Sequence, residues 1–99
     1  MVYKKDILAF LKEKKDTFFV DYQLVKIGLF GSFVRNEQTA ASDIDIIVEF
    51  SPKTENLSEK KSAIKHIIEK QFGRKVDLCR EKYIKPYFKA QILKSVVYV

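Results

Sequence analysis

Cysteine occurs once in the 99 residues, at Cys79, which excludes an internal disulfide and a cysteine-rich zinc site. Long hydrophobic runs are missing as well. Apolar stretches such as Ile46-Ile47-Val48 fall far short of the roughly 18 residues needed to cross a bilayer. The opening Met1-Val2-Tyr3-Lys4-Lys5-Asp6 lacks the apolar segment of a secretory signal. With one thiol and no such segment, a reduced cytoplasmic setting is expected. Arginine is scarce, since sixteen of the nineteen cations are lysines. No aromatic-glycine RNA-binding signature accompanies them, which argues against a dedicated nucleic-acid reader.

What is present suits one packed domain spanning residues 1–99. Hydrophobic residues are 46%, aromatics 13% and charged residues 32%, enough for a core and a solvated surface. The formal net charge is +6, and the lysines are scattered from Lys4 to Lys94. They describe either a lysine-coated solvent face or a groove for an anionic partner.

Ile7, Leu8, Phe10 and Leu11 recur at helical spacing and predict a helix over 5–15. Thr17 to Tyr22 is mixed and reads as a connection or a helix end. Val25–Phe30 alternates and runs into Gly31-Ser32, as a strand entering a turn does. Phe33 to Glu37 suits one helical turn, and Gln38 to Ser42 a polar loop. Asp43–Phe50 reads as a second strand, with Ile44, Ile46, Val48 and Phe50 on one face and Asp43, Asp45, Ile47 and Glu49 on the other. Ser58–Phe72 reads as a helix that Gly73 ends, and Lys75–Cys79 as a third strand. Pro86 suits the first turn of a last helix with an apolar row of Phe88, Ile92 and Leu93. Ser95–Val99 suits a short fourth edge strand. The class is α/β (α+β), a small mixed sheet flanked by helices. The first two strands are expected antiparallel, because about ten intervening residues are too few for a parallel crossover.

Three pieces carry chemistry. Asp43 and Asp45 share a strand face roughly 6.5–7 Å apart, where like charges repel and a cation is called for. Hard divalent ions such as Mg²⁺ take oxygen ligands of this kind and share them with phosphates. Asp77 lies between Val76 and Leu78 and presents a third carboxylate from its own strand. Beside the pair it makes a site for two metal ions, Asp43, Asp45 and Asp77 serving as ligands. Gly31 lets backbone approach a ligand closely, Ser32 offers a hydroxyl and an N–H, and Arg35 adds a charge for phosphate. His66 reads as a helix-surface residue, Cys79 as a small buried hydrophobe, and Tyr83, Tyr87 and Tyr98 as core or rim packing, with part of a partner surface as the alternative. Glu49 sits too far along the strand for the metal site.

Gly31-Ser32, the ten-residue spacer, Asp43-Ile44-Asp45 and Ile46-Ile47-Val48-Glu49 resemble the minimal nucleotidyltransferases of the DNA polymerase β superfamily. Arg74-Lys75-Val76-Asp77-Leu78 is similar to that family's third-carboxylate strand. Ile92-Leu93-Lys94 with Val96-Val97-Tyr98 is similar to its C-terminal ending. Two positions depart from the pattern. Phe33 stands where the family often has a base, which removes one phosphate contact. Asn36 stands where an Arg-Gly pair would have glycine, and Asn tolerates the same left-handed turn.

The resemblance implies a nucleotidyltransferase fold and Mg²⁺-dependent transfer of a nucleoside monophosphate, AMP from ATP, to a hydroxyl acceptor. It also implies a partner, an HEPN-family ribonuclease toxin bearing an acceptor tyrosine, with this chain as the antitoxin. In that reading Asp43, Asp45 and Asp77 are catalytic and metal-binding, while Gly31, Ser32 and Arg35 bind the nucleotide. The competing reading is a non-catalytic antitoxin that neutralises its partner by contact alone. Homo- or hetero-oligomers are both compatible with the sequence.

Overall fold

Helix α1 (Lys4–Asp21) begins where the Asp6 carboxylate accepts the Tyr3 N–H at 2.9 Å, satisfying one of the free amides at the helix start. It runs well past the predicted end at residue 15. Of the two readings of Thr17–Tyr22 the helix end is the one observed, because Phe18 continues the buried face of Ile7 and Leu11 and is itself fully buried. A side chain of that size contributes about 1.5–3 kcal/mol on burial, more than the propensity cost of the polar residues around it.

The computed structural model describes residues 1–99. Strands β1 (Leu24–Phe30), β2 (Ile44–Phe50), β3 (Val76–Arg80) and β4 (Val97–Tyr98) form one sheet in the order β3-β2-β1-β4. β1 and β2 are antiparallel, as the short connection predicted, with Phe30 opposite Asp45. β2 and β3 are parallel, joined through helix α2 (Leu57–Phe72), with Asp45 opposite Asp77. The edge strand predicted near the C-terminus exists, pairing Gly28 with Tyr98 and Leu29 with Val97.

Alternation along the strands separates two faces. Ile27, Leu29, Ile44, Ile46, Val48, Val76 and Leu78 join Ile7, Leu11 and Phe18 of α1 and Ile64 and Ile68 of α2 in one hydrophobic core. Phe10 and Phe72 meet edge to face at 5.5 Å, tying the two helices together. Gly73 ends α2 at φ +62°, its N–H donating to Glu69 O at 2.8 Å. No helix is long and apolar enough to cross a membrane.

The opposite face carries the acidic residues of β2 and is overhung by helix α3 (Pro86–Ser95). The last helix begins at Pro86 as expected, and Ile92 and Leu93 of its apolar row are half-buried. None of the α3 residues is fully buried, and Phe88 of the expected apolar row is 50% exposed. The facing strand positions present Asp45 and Asp77, leaving α3 little apolar surface to bury against. It is held by its flanks instead. The Tyr98 hydroxyl donates to Glu81 Oε1 at 2.7 Å, and Lys26 Nζ pairs with Glu81 Oε2 at 3.3 Å. Burial and the Glu81 carboxylate push the Tyr98 phenol up to about 12, so the hydroxyl keeps its proton for this bond.

Candidate active site

Register places the acidic groups. Asp45 and Asp77 are partners across the parallel β2–β3 pair, at a strand spacing of about 4.8 Å. Asp43 precedes Asp45 by two residues and shares its face. Asp43 and Asp77 are exposed, while Asp45 is half-buried between them. The sequence thus named three residues that the fold brings to one sheet edge.

Their surroundings leave them short of partners. The one hydrogen bond to the trio is a weak one, from the Cys79 thiol to Asp77 Oδ1 at 3.7 Å. Burial, then the charges of Asp77 and Asp43, push the Asp45 carboxyl up from 3.8 to about 6, with Arg35 pulling the other way. The side chains do not close into a cage of three metal ligands in this conformation. Exposed carboxylates of this kind swing on rotation about two bonds. The half-buried Asp45 carboxylate, without an N–H or O–H donor and flanked by exposed Asp43 and Asp77, suits a hard divalent cation.

The Gly31-Ser32 turn lies against this edge. Gly31 has φ +81°, and a Cβ there would run into Asp45 Oδ2, so the turn and the carboxylate share one space. Residues 33–37 make a single turn rather than a helix, closed by Arg35 N–H to Gly31 O at 3.3 Å and Glu37 N–H to Ser32 O at 2.9 Å. Asn36 takes φ +57°, the left-handed conformation expected of it. Phe33 turns inward and is fully buried, so it anchors the turn and faces away from any phosphate. Arg35 pairs with Glu37 at 3.2 Å on the surface and lines a cleft of about 440 Å³ together with Gly31, Gln91 and Ser95. The exposed pair exchanges readily for a stronger anion.

Glu49 is occupied elsewhere, as expected. Burial alone would raise its carboxyl, but the Phe50 and Lys82 amides and the Arg80 guanidinium outweigh it and hold it below its usual range. Arg80 Nη2 sits 3.1 Å from Glu49 Oε2. Cys79 departs from expectation. It is half-buried on the acidic face rather than in the core, and burial followed by Asp77 pushes its thiol up. His66 is exposed on α2. Tyr83, Tyr87 and Tyr98 are 69%, 70% and 41% exposed, so none of them is core.

Sequence reasoning missed Arg74. Its Nη1 donates to Thr39 O and Ala40 O at 3.2 Å and to Ser42 O at 3.0 Å, and its guanidinium lies 5.4 Å from the Phe33 ring centre. One side chain therefore clamps the loop that delivers Asp43 to the ring that anchors Gly31-Ser32. Nothing local in the sequence signals this, because the contacts span more than thirty positions. Arg74→Ala is expected to destabilise the fold by about 1–3 kcal/mol, measured by urea unfolding. Arg74→Lys recovers less than half of that loss, since an ammonium cannot reach three carbonyls and stack at once.

Comparison with known proteins now has geometry to rest on. The family model for a nucleotidyltransferase domain matches residues 4–99. This chain belongs to that family. The nucleotidyltransferase is 41% identical over 96 residues to a Methanocaldococcus jannaschii chain with protein adenylyltransferase in its name, covering 95% of each. It is 34% identical over 93 residues to the protein adenylyltransferase MntA of Thermococcus cleftensis, covering 94% of this chain and 88% of that one. Among solved structures, a minimal nucleotidyltransferase superposes with a TM-score of 0.72 at 22% identity, over 92% of this chain and 93% of the other. A toxin–antitoxin structure with AMP-PNP gives 0.66 at 22% identity, over 88% and 70%. These likenesses bear out the mixed α/β nucleotidyltransferase fold.

Proposed function

We propose that this nucleotidyltransferase is a Mg²⁺-dependent protein adenylyltransferase that moves AMP from ATP onto a tyrosine hydroxyl of an HEPN-type toxin, acting as its antitoxin. In this reading residues 1–99 are one catalytic domain. The observation that carries it is the pairing of Asp45 with Asp77 across β2 and β3, with the Gly31 backbone pressed against Asp45. The adenylyltransferase names of the relatives support it, as do fold neighbours described as MntA toxin–antitoxin complexes. In this reading the chain works in the cytoplasm, where its single thiol stays free and ATP is at hand.

Asp43 and Asp45 would hold the ion that carries the triphosphate, and Asp77 would complete a second position. Bound Mg²⁺ would supply charge neutralisation for the phosphates and the leaving pyrophosphate. Gly31 and Ser32 receive the β- and γ-phosphates on their amides and the Ser32 hydroxyl. Arg35 leaves Glu37 to add a charge-assisted bond. The acceptor oxygen attacks the α-phosphorus, the bond to the β-phosphate bridge breaks, and pyrophosphate leaves. Asp77 takes the hydroxyl proton. Most of the acceleration is positioning and electrostatics. A chain that neutralised its partner by contact alone would have no use for three carboxylates without donors.

Incubation with radiolabelled ATP, Mg²⁺ and a purified HEPN toxin checks this. Label is expected on the toxin with the wild-type chain and is lost with the Asp43→Asn/Asp45→Asn double variant. A stable complex that never acquires label supports the contact-only reading.

A further inference from the structure

The acidic edge separates two clefts that meet at Phe30 and Ile92. The first, already described, is lined by Gly31 and Arg35. The second, of about 470 Å³, is lined by Asp77 and by apolar groups that include Ile84 and Phe88. In-line displacement requires the entering and leaving oxygens on opposite sides of phosphorus. With the phosphates on the Gly31 side, the acceptor enters from the Asp77 side, through the second cleft.

Its surface has a defined character. Phe88 is 50% exposed, Tyr83 69% and Tyr87 70%, and Tyr87 and Phe88 lie 4.5 Å apart as one aromatic patch. Lone exposed aromatics are ordinary, but a contiguous patch beside a reaction centre marks a docking surface. Around it cations predominate, since Lys61 and Arg80 line the cleft against the single carboxylate of Asp77. Lys82, Lys85 and Lys89 carry no ion pair, while Glu81 is taken by Lys26 and Tyr98. A cationic rim around an apolar floor complements an acidic segment with an aromatic centre.

We propose that the Phe88 cleft seats an acidic, tyrosine-bearing segment of the partner protein, with the tyrosine on the aromatic floor and its neighbouring carboxylates on Lys82, Lys85 and Lys89. The proposal rests on the adenylyltransferase reading above and specifies the acceptor for it. Tyr83 and Phe88 select the aromatic ring, and the lysines select the charge around it.

The experiment uses the full chain and fluorescent peptides carrying one tyrosine flanked by Asp and Glu, by Asn and Gln, or by lysines. Anisotropy reads binding, and transfer from ATP with Mg²⁺ reads reaction. The acidic peptide is expected to bind about tenfold more tightly than its amide counterpart at low salt. Lys82→Glu/Lys85→Glu, both at exposed positions, erases that difference and leaves AMP-PNP affinity unchanged. Phe88→Ala weakens the acidic peptide about fivefold, again sparing AMP-PNP. Equal binding of the acidic and amide peptides overturns the proposal, as does tighter binding of the lysine peptide. Displacement of peptide by AMP-PNP, with Phe88→Ala weakening the nucleotide, assigns the cleft to the base and also overturns it. Acidic-peptide binding without AMP transfer to any tyrosine sustains the docking surface and defeats the adenylyltransferase reading instead.

Discussion

Asp45→Asn is expected to lower AMP transfer by about 10³-fold or more and, in the same protein, to raise the stability of the metal-free fold. The two effects share a cause. Asp45 is half-buried against Asp77 and Asp43, and its carboxyl titrates near 6 instead of 3.8. The folded state therefore holds the Asp45 proton more tightly than the unfolded chain does. Well below pH 3.8 the group is protonated in both states and costs nothing. As the pH rises from 3.8 towards 6 the unfolded chain ionises first, stability falls, and the full cost is reached above 6. The cost is about 1–3 kcal/mol, the lower end allowing for solvent screening on its open side. Unfolding curves of wild type and Asp45→Asn should converge towards pH 3, separate progressively between pH 4 and 6 and keep a constant gap above that, with the variant more stable. Mg²⁺ at pH 7.5 should raise the wild-type Tm and leave the variant unmoved. A variant less stable than wild type at pH 7.5 would contradict the electrostatic account. A variant with full activity would contradict the metal assignment.

Gly31→Ala should lower transfer by about 10²-fold and destabilise the fold by about 1–3 kcal/mol. At φ +81° any L side chain is strained, and here the added Cβ also collides with Asp45 Oδ2. The collision moves the carboxylate, which is what couples this substitution to the chemistry. Gly73 supplies the control. It too has a positive φ, at +62°, but a Cβ there meets nothing within 4 Å. Gly73→Ala should cost about 1 kcal/mol of backbone strain and leave transfer within about twofold of wild type. Equal loss of activity in both variants would reduce Gly31 to a turn residue.

The parts of this molecule readable in advance are those with local causes. Alternation in Val25–Phe30 and Asp43–Phe50 reflects strands with one face in the core, and the short link between them dictates an antiparallel pair. The acidic residues were legible for the same reason, because spacing by two places Asp43 and Asp45 on one face whatever surrounds them. Long-range causes were hidden. Nothing near Phe18 says that the core reaches out to it and extends α1 by a further turn and a half. The row Phe88, Ile92 and Leu93 has the period of a helix face, yet the opposing sheet face carries Asp45 and Asp77 beside Phe30 and Ile47, so Ile92 and Leu93 are only half-buried and Phe88 stays exposed. Phe33 follows Gly31-Ser32 in sequence but points into the core. The Arg74 clamp joins residues thirty-odd positions apart, and the Asp45–Asp77 register emerges only when β3 is laid beside β2.

Crystals grown with Mn²⁺ and a non-hydrolysable ATP analogue, with the ion located by its anomalous signal, put the acidic edge to the test. The expected map has manganese bonded to Asp43 and Asp45 and the phosphates on the amides of Gly31 and Ser32. A different map would contradict it: no ion at Asp45, and the phosphates in the cleft of about 280 Å³ that Lys61 and Lys65 line on the far side of Asp77.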